Sequence, residues 1–376
     1  MNSFSLAVSA FFDGEKILGP QRVDINNGLV SYFESIPESE VSHKGLLTAG
    51  FIDWQVNGGG GVLFNEKPTL DSLIAISQAH VRFGSTGIFP TLITDEYSKM
   101  ELAASAVAAA RRGNINNILG VHFEGPHLSL EKKGVHSERF IRPISQREID
   151  LFCREELGRV IVTLAPEQVD VDIIEQLTEK NVIVSLGHSN ASYSGVVGAL
   201  AAGASGFTHL FNAMSPLTSR EPGMVGAALT NLKSYYGLIM DGIHVHPAVA
   251  KLALNANPNM TLVTDAMSVV GTDEQSFELL GETITRTGSQ LTDPRGRLAG
   301  SALDMANAVI NAQNMLMIDK TQALNLASKN VAHFLSMEKT LGTLSPGKKA
   351  SMVLLEANGN VIASWVEGVL AYQRKN

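Results

Sequence analysis

Eight short runs rich in apolar and β-branched residues recur along residues 47–264, and helical patterns fill most of the gaps between them. The runs are Leu47–Gln55, Gly87–Ile93, Ile118–Phe123, Arg159–Leu164, Val182–Leu186, Gly206–Leu210, Tyr235–Met240 and Met260–Thr264. Alternation of this kind predicts a parallel α/β fold. A run such as Val182-Ile183-Val184-Ser185-Leu186 is almost continuously apolar, as a strand covered on both faces must be. Helices are expected over Leu70–Phe83, Ser98–Arg112, Ser145–Leu157, Val171–Lys180 and Ser192–Ala202, with two more over Asp304–Leu316 and Thr321–Leu335. Ser145 with Glu148 three residues on reads as a capping box. Eight βα units favour a closed (β/α)8 TIM-like barrel; an open doubly wound sheet is the other architecture the pattern allows.

The chain has 376 residues, more than the roughly 250 a barrel needs. The surplus lies at the two ends. Turn signals at Asp13-Gly14, Asn26-Asn27-Gly28, Ser345-Pro346-Gly347 and Asn358-Gly359-Asn360 separate short alternating runs, which predict β-hairpins. Neither end is long enough for a secure core alone. Residues 1–46 and 336–376 are therefore expected to join in one small β-sandwich domain flanking a catalytic barrel over 47–335.

Composition narrows the functional classes. Hydrophobic residues are 44% of the chain and charged residues 18%, which supplies a large core and excludes disorder. The net charge of −8 comes with no basic run beyond pairs such as Arg111-Arg112, so no nucleic-acid partner is expected. No run approaches 18 apolar residues and the first residues lack a positive segment, so neither a membrane span nor a signal peptide is expected. The default setting is cytoplasmic. With one cysteine, Cys153, a disulfide framework or Cys-rich zinc module is excluded. Any metal must be held by histidine and carboxylate.

The residues that follow the predicted strands carry the chemistry. Glu124 follows strand three, His188 strand five and Asp265 strand eight, while His209 closes strand six. In a barrel all four face the C-terminal mouth, where active sites form. Two imidazoles and a carboxylate make a common hydrolytic zinc set with a position open for water. His122 lies on the strand of Glu124 and is the weaker candidate; His127 in the next loop stays open. His43, His80, His246 and His333 are read as structural or surface residues. The run Asn57-Gly58-Gly59-Gly60-Gly61 is either a tight turn or a place where backbone approaches a ligand. It is not a P-loop, because no Gly-Lys-Ser/Thr follows. Arg220, in the loop Ser215–Gly223, is either a solvated charge or a bidentate phosphate grip.

Taken in order, GFIDWQVNGGGG (50–61), GVHFEGPHLS (120–129), GVHSERF (134–140), LAPE (164–167), SLGHSNA (185–191), THLFNAMSPLTSREPGMVG (208–226), GLIMDGIHVHP (237–247), LVTDAM (262–267) and LAGSALDM (298–305) resemble the N-acetylglucosamine-6-phosphate deacetylase family of the amidohydrolase superfamily. The matching segments cover nearly the whole barrel. The resemblance implies deacetylation of N-acetylglucosamine 6-phosphate to glucosamine 6-phosphate and acetate, in amino-sugar catabolism. It implies Glu124, His188 and His209 as metal ligands and Asp265 as the general base and then acid. His136 would polarise the acetyl carbonyl, and His244 would contact the sugar or its phosphate end. Asn212 and the Ala213 backbone would line the phosphate pocket. Arg220 would reach across a homodimer to the neighbouring subunit's substrate.

The sequence also departs from superfamily habit. Where many members carry His-x-His after strand one, this chain has Gln55 and Asn57. Amides are poor transition-metal ligands beside imidazole, so one divalent metal per subunit is expected. Zinc suits the ligands best, and iron, cobalt or manganese suits the same set. The competing readings are another amidohydrolase acting on a different amide and a non-catalytic sugar-phosphate sensor.

Overall fold

The computed structural model describes residues 3–375. Eight strands, Phe51–Val56, Ser85–Ile93, Gly120–Glu124, Arg159–Leu164, Ile183–Leu186, Gly206–Phe207, Tyr235–Ile239 and Met260–Val263, form one sheet in which every neighbour is the next strand in sequence. All the pairs are parallel. A doubly wound sheet reverses its strand order once; this one never does, so the barrel is the architecture. Its seam, between the first and eighth strands, is closed by backbone bonds from Asp265 N to Gln55 O (3.0 Å) and from Asn57 N to Ala266 O (2.9 Å).

The expected strand Leu47–Gln55 is two strands. His43–Ala49 belongs to an outer sheet, and the barrel begins at Phe51. Gly50 makes the transfer: its N–H donates to Ser351 O in the outer layer, while Phe51 N donates to Gly84 O in the barrel. A Cβ on Gly50 would sit 2.0 Å from the Thr86 hydroxyl oxygen, so only glycine fits. The outer sheet has eight strands and mixes both chain ends, with His43–Ala49 between Phe4–Phe12 and Met352–Leu355. It curls until the Leu29–Ser35 edge meets the 348–350 segment, where Val30 N donates to Lys348 O (2.9 Å) and Ala350 N to Gly28 O (2.8 Å). A sandwich-like core of Val8, Phe11, Val23, Leu47, Met352 and Leu354 fills the fold.

Helices follow the predicted runs closely, and Glu148 accepts the Ser145 N–H (2.9 Å), as the glutamate of a capping box does, and the Ser145 hydroxyl as well (2.7 Å). The predicted helix Thr321–Leu335 is broken at Ser328 into Lys320–Ala327 and Lys329–Phe334. Two helices, Gly223–Thr230 and Pro247–Ala256, go beyond the sequence reading, as does a three-stranded antiparallel insert over Ser276–Leu279, Glu282–Thr287 and Gln290–Thr292. The insert packs Leu279, Ile284 and Leu291 against Met267, Val269 and Val135 beside the barrel mouth. Among the described residues no helix is long and apolar enough to cross a membrane.

Candidate active site

Glu124 ends the third barrel strand, and His188, His209 and Asp265 stand just beyond the fifth, sixth and eighth. The sixth strand stops at Phe207, before the predicted Leu210, because the chain leaves extended geometry there: His209 has φ 33°, Phe211 80° and Ala213 52°. His188 (48°) and Asp265 (52°) are also left-handed. Non-glycine residues at positive φ are uncommon and cost about 1–3 kcal/mol each, so a fold keeps them where the placement of a side chain outweighs the strain.

The placement brings Glu124, His188 and His209 together, with one ligand atom from each within 4.8 Å of the others. Both Nε2 atoms face the same carboxylate oxygen, Glu124 Oε1, at 3.1 Å from His188 and 2.9 Å from His209. The two Nε2 atoms are 3.1 Å apart. His188 Nδ1 donates to Lys132 O (2.8 Å), which orients the ring so that Nε2 is the atom facing the cluster. Burial pushes the Glu124 carboxyl up, but the bonds from His188 and His209 outweigh it and hold the group well below the usual carboxylate range. Two imidazole Nε2 atoms and an ionised carboxylate converge on one buried point; these are the ligand types of a divalent transition metal, and the residues fit such an ion.

Asp265 stands beside this cluster. The Asn57 amide donates to its Oδ1 at 2.6 Å and the Gln55 amide at 3.2 Å; Gln55 also donates to Glu124 Oε2 at 3.2 Å. The two amides that replace His-x-His are therefore hydrogen-bond donors to the site's carboxylates. Burial first, and the Glu124 charge second, push the Asp265 carboxyl up to about 6.

His136 Nδ1 lies 2.8 Å from the Thr94 hydroxyl and 3.4 Å from the Thr94 amide N–H, which donates. Nδ1 is thus an acceptor, and the proton of the neutral ring sits on Nε2. Burial, then His188 nearby, holds His136 well below the usual histidine range, so the ring is neutral. A cavity of about 190 Å³ joins His136 to Asn57, Asn212, Ala213, His244 and Asp265 as well as the three clustered ligands. Arg220 is not among the lining residues of this chain's cavity; it is exposed on a loop pinned by Glu221, whose carboxylate accepts Tyr193 N (2.7 Å) and Gly223 N (3.0 Å).

Two open readings close. Gly58–Gly61 form and flank a small hairpin packed on the helix Leu70–Val81, where a Cβ on Gly59 would lie 2.8 Å from His80 Nε2; close packing, not a ligand, explains the glycines. His122 lies inside the barrel, bonded to Trp54 O (3.1 Å) and Thr163 Oγ1 (2.7 Å), and His127 bonds Arg142 O (3.0 Å); neither lines the cavity. The sequence reading missed Thr94 and the donor role of Gln55 and Asn57. Gln55 and Asn57 did stand out as replacements, which was the available signal.

The amidohydrolase family model matches residues 46–371. The chain is 44% identical over 377 residues to the N-acetylgalactosamine-6-phosphate deacetylase of Shewanella sp. (strain ANA-3), covering 96% of this chain and 95% of that one. It is 34% identical to the N-acetylglucosamine-6-phosphate deacetylase of Haemophilus influenzae, covering 86% and 85%. The crystal structure of N-acetylglucosamine-6-phosphate deacetylase from Pasteurella multocida superposes with a TM-score of 0.93 at 34% identity, covering 99% of this chain and 100% of that one.

Proposed function

The chain belongs to the amidohydrolase family, and from that premise we propose that it deacetylates an N-acetylhexosamine 6-phosphate to acetate and the amino-sugar 6-phosphate. The observation that carries this is Asp265, a buried carboxyl at about 6, held by two amides beside the Glu124–His188–His209 cluster. A proton shuttle beside a metal-type donor set suits hydrolysis; a mere sugar-phosphate sensor needs no such group. The sequence motifs point to the gluco substrate. The relative at 44% identity is named for the galacto epimer, which favours a second reading in which that sugar is turned over better. Acetate release from both 6-phosphates, before and after chelation, tests the proposal and ranks the epimers. Release from neither by a metal-replete sample overturns it.

Glu124, His188 and His209 would hold one divalent ion, with zinc the best match to the donors. The chemistry such an ion supplies is Lewis-acid polarisation and water activation near neutral pH. The protein's own groups do the rest. Asp265 takes a proton from the attacking water as its oxygen bonds to the acyl carbon. The His136 Nε2–H donates to the acyl oxygen as charge develops there, a contribution of about 2.7–4 kcal/mol in comparable sites. Asp265 then gives its proton to the amide nitrogen, the C–N bond breaks, and acetate and the amine leave. Gln55 and Asn57 keep Asp265 aimed by two bonds, and this use of the amides supports one ion per subunit.

Asn212 and Ala213 are assigned to the sugar-phosphate end of the cavity. Arg220, exposed and outside its own cavity, is assigned to the phosphate in the partner site of a homodimer. The setting is the cytoplasm, since a charged sugar phosphate does not cross a bilayer unaided.

A further inference from the structure

The loop after the seventh barrel strand holds a carboxylate–imidazole pair, Asp241 and His244; the family resemblance implies substrate contact for His244, and the reaction above gives Asp241 no task. Asp241 spends its carboxylate on its own turn. Oδ1 accepts Ile243 N (2.8 Å) and His244 N (2.9 Å), and Oδ2 meets His244 Nδ1 at 2.6 Å. The side chains of His244 and Asp241 are only 7% and 4% exposed. The turn is rigidly seated. Gly242 takes φ 75°, its Cβ position lies 3.2 Å from Met315 Cε, and Asn311 Nδ2 donates to Met240 O (2.9 Å) from the helix Met305–Leu316. Burial pushes the Asp241 carboxyl up, but the bonds from His244 and the two amides outweigh it and keep the group below its ordinary range. An ionised carboxylate accepts only, so Nδ1 carries a proton, and a separation of 2.6 Å is that of a charge-assisted bond. His244 lines the cavity, and with Nδ1 committed, Nε2 is the ring atom left to it.

We propose that Asp241 is a positioning residue for substrate binding: by holding the His244 Nδ1–H it fixes the ring and aims Nε2 into the cavity, toward the phosphate end of the bound sugar. This rests on the function proposed above. A partner that sets the tautomer and orientation of a binding histidine acts as the outer partners of metal-ligating histidines do, whose loss typically costs 10–100-fold.

The test is a double-mutant cycle of Asp241→Asn and His244→Gln, read on the N-acetylhexosamine 6-phosphate and on the unphosphorylated sugar. Asparagine still accepts both backbone N–H groups, so the turn survives while the Nδ1 acceptor is compromised. Asp241→Asn should raise KM for the phosphorylated substrate by roughly tenfold or more and change kcat by less than about threefold. The unphosphorylated sugar should change by less than about threefold on both, and in the His244→Gln background Asp241→Asn should cost nothing further. Losses that multiply, or that are equal on the two sugars, overturn the proposal. A separate reading needs neither a variant nor turnover: in ¹⁵N NMR of the full wild-type chain, His244 Nδ1 should be protonated at neutral pH. A bare Nδ1 overturns the proposal whatever the enzyme deacetylates; failure of wild-type acetate release with a protonated Nδ1 overturns only the function.

Discussion

Asp265 can accept a proton only when ionised, and its carboxyl is pushed up to about 6 by burial and then by Glu124. The base form is therefore present above that pH and lost below it, so kcat/KM should fall on the acid side with a one-proton slope and a midpoint no higher than about 6; an acid limb centred above that speaks against Asp265 as the base. A bound cation favours the carboxylate and moves the limb lower, never higher. Asp265→Asn should lose roughly 10²-fold or more in turnover while keeping its metal. Glu124→Gln should do the opposite, losing metal content first; full occupancy by metal assay would reject Glu124 as a ligand. Much of this was legible in the sequence, because Glu124, His188, His209 and Asp265 each stand at the end of a recognisable strand. Their left-handed backbone was not, since no local signal marks a histidine for positive φ; the surrounding fold imposes it. Thr94 escaped for a similar reason: its link to His136 spans 42 residues and is purely tertiary.

Among the elements, the barrel seam carries the most information. Besides the backbone bonds, Asp53 on the first strand spans to the eighth, accepting the Thr264 hydroxyl (2.5 Å) and Thr264 N (3.3 Å). Burial, above all, pushes its carboxyl from the ordinary 3.8 up to about 7, against the bonds from Thr264 and Gln55. The folded state thus binds a proton that the unfolded chain releases between those values. Its stabilising effect is complete below about pH 4 and is lost as pH rises through about 7. Asp53→Asn removes that titration and keeps a polar bridge to Thr264. Measured by denaturant, the wild type's stability relative to Asp53→Asn should decline from pH 4 to 7 by at most about 1.4 kcal/mol per pH unit; a difference independent of pH counts against a buried, neutral Asp53 at the seam. The strands themselves were readable because burial on both faces leaves runs such as Val182–Leu186. The insert over Ser276–Thr292 was not read, because its strands are short and half-exposed, and Glu282–Thr287 carries a single apolar residue, Ile284. The turns at Gly281 and Gly288 were its one visible signal. The helix Gly223–Thr230 was missed because Gly223, Gly226, Ala227 and Ala228 give it little amphipathic contrast.

At the scale of the whole molecule, the question is whether one chain makes a complete site. The cavity holds the Glu124 cluster, Asp265, His136 and His244, yet among its lining residues no arginine or lysine faces the substrate's phosphate. The net charge of −8 makes a local cation there the more necessary. Arg220 is exposed at the tip of a pinned loop, with no ion pair among the described residues, which suits a group that completes a neighbour's site. Arg220→Ala should lose activity strongly on the 6-phosphate and slightly on the unphosphorylated sugar; equal losses reject phosphate recognition. Mixing decides between cis and trans action. A dimer of one Arg220→Ala subunit and one Asp265→Asn subunit contains one site with both defects and one with neither, provided Arg220 acts across the interface. Two nearly inactive proteins, mixed in equal amounts and allowed to exchange subunits, should then recover about a quarter of wild-type activity, because half the dimers are mixed and each carries one intact site. If Arg220 serves its own chain, every site keeps a defect and mixing restores nothing.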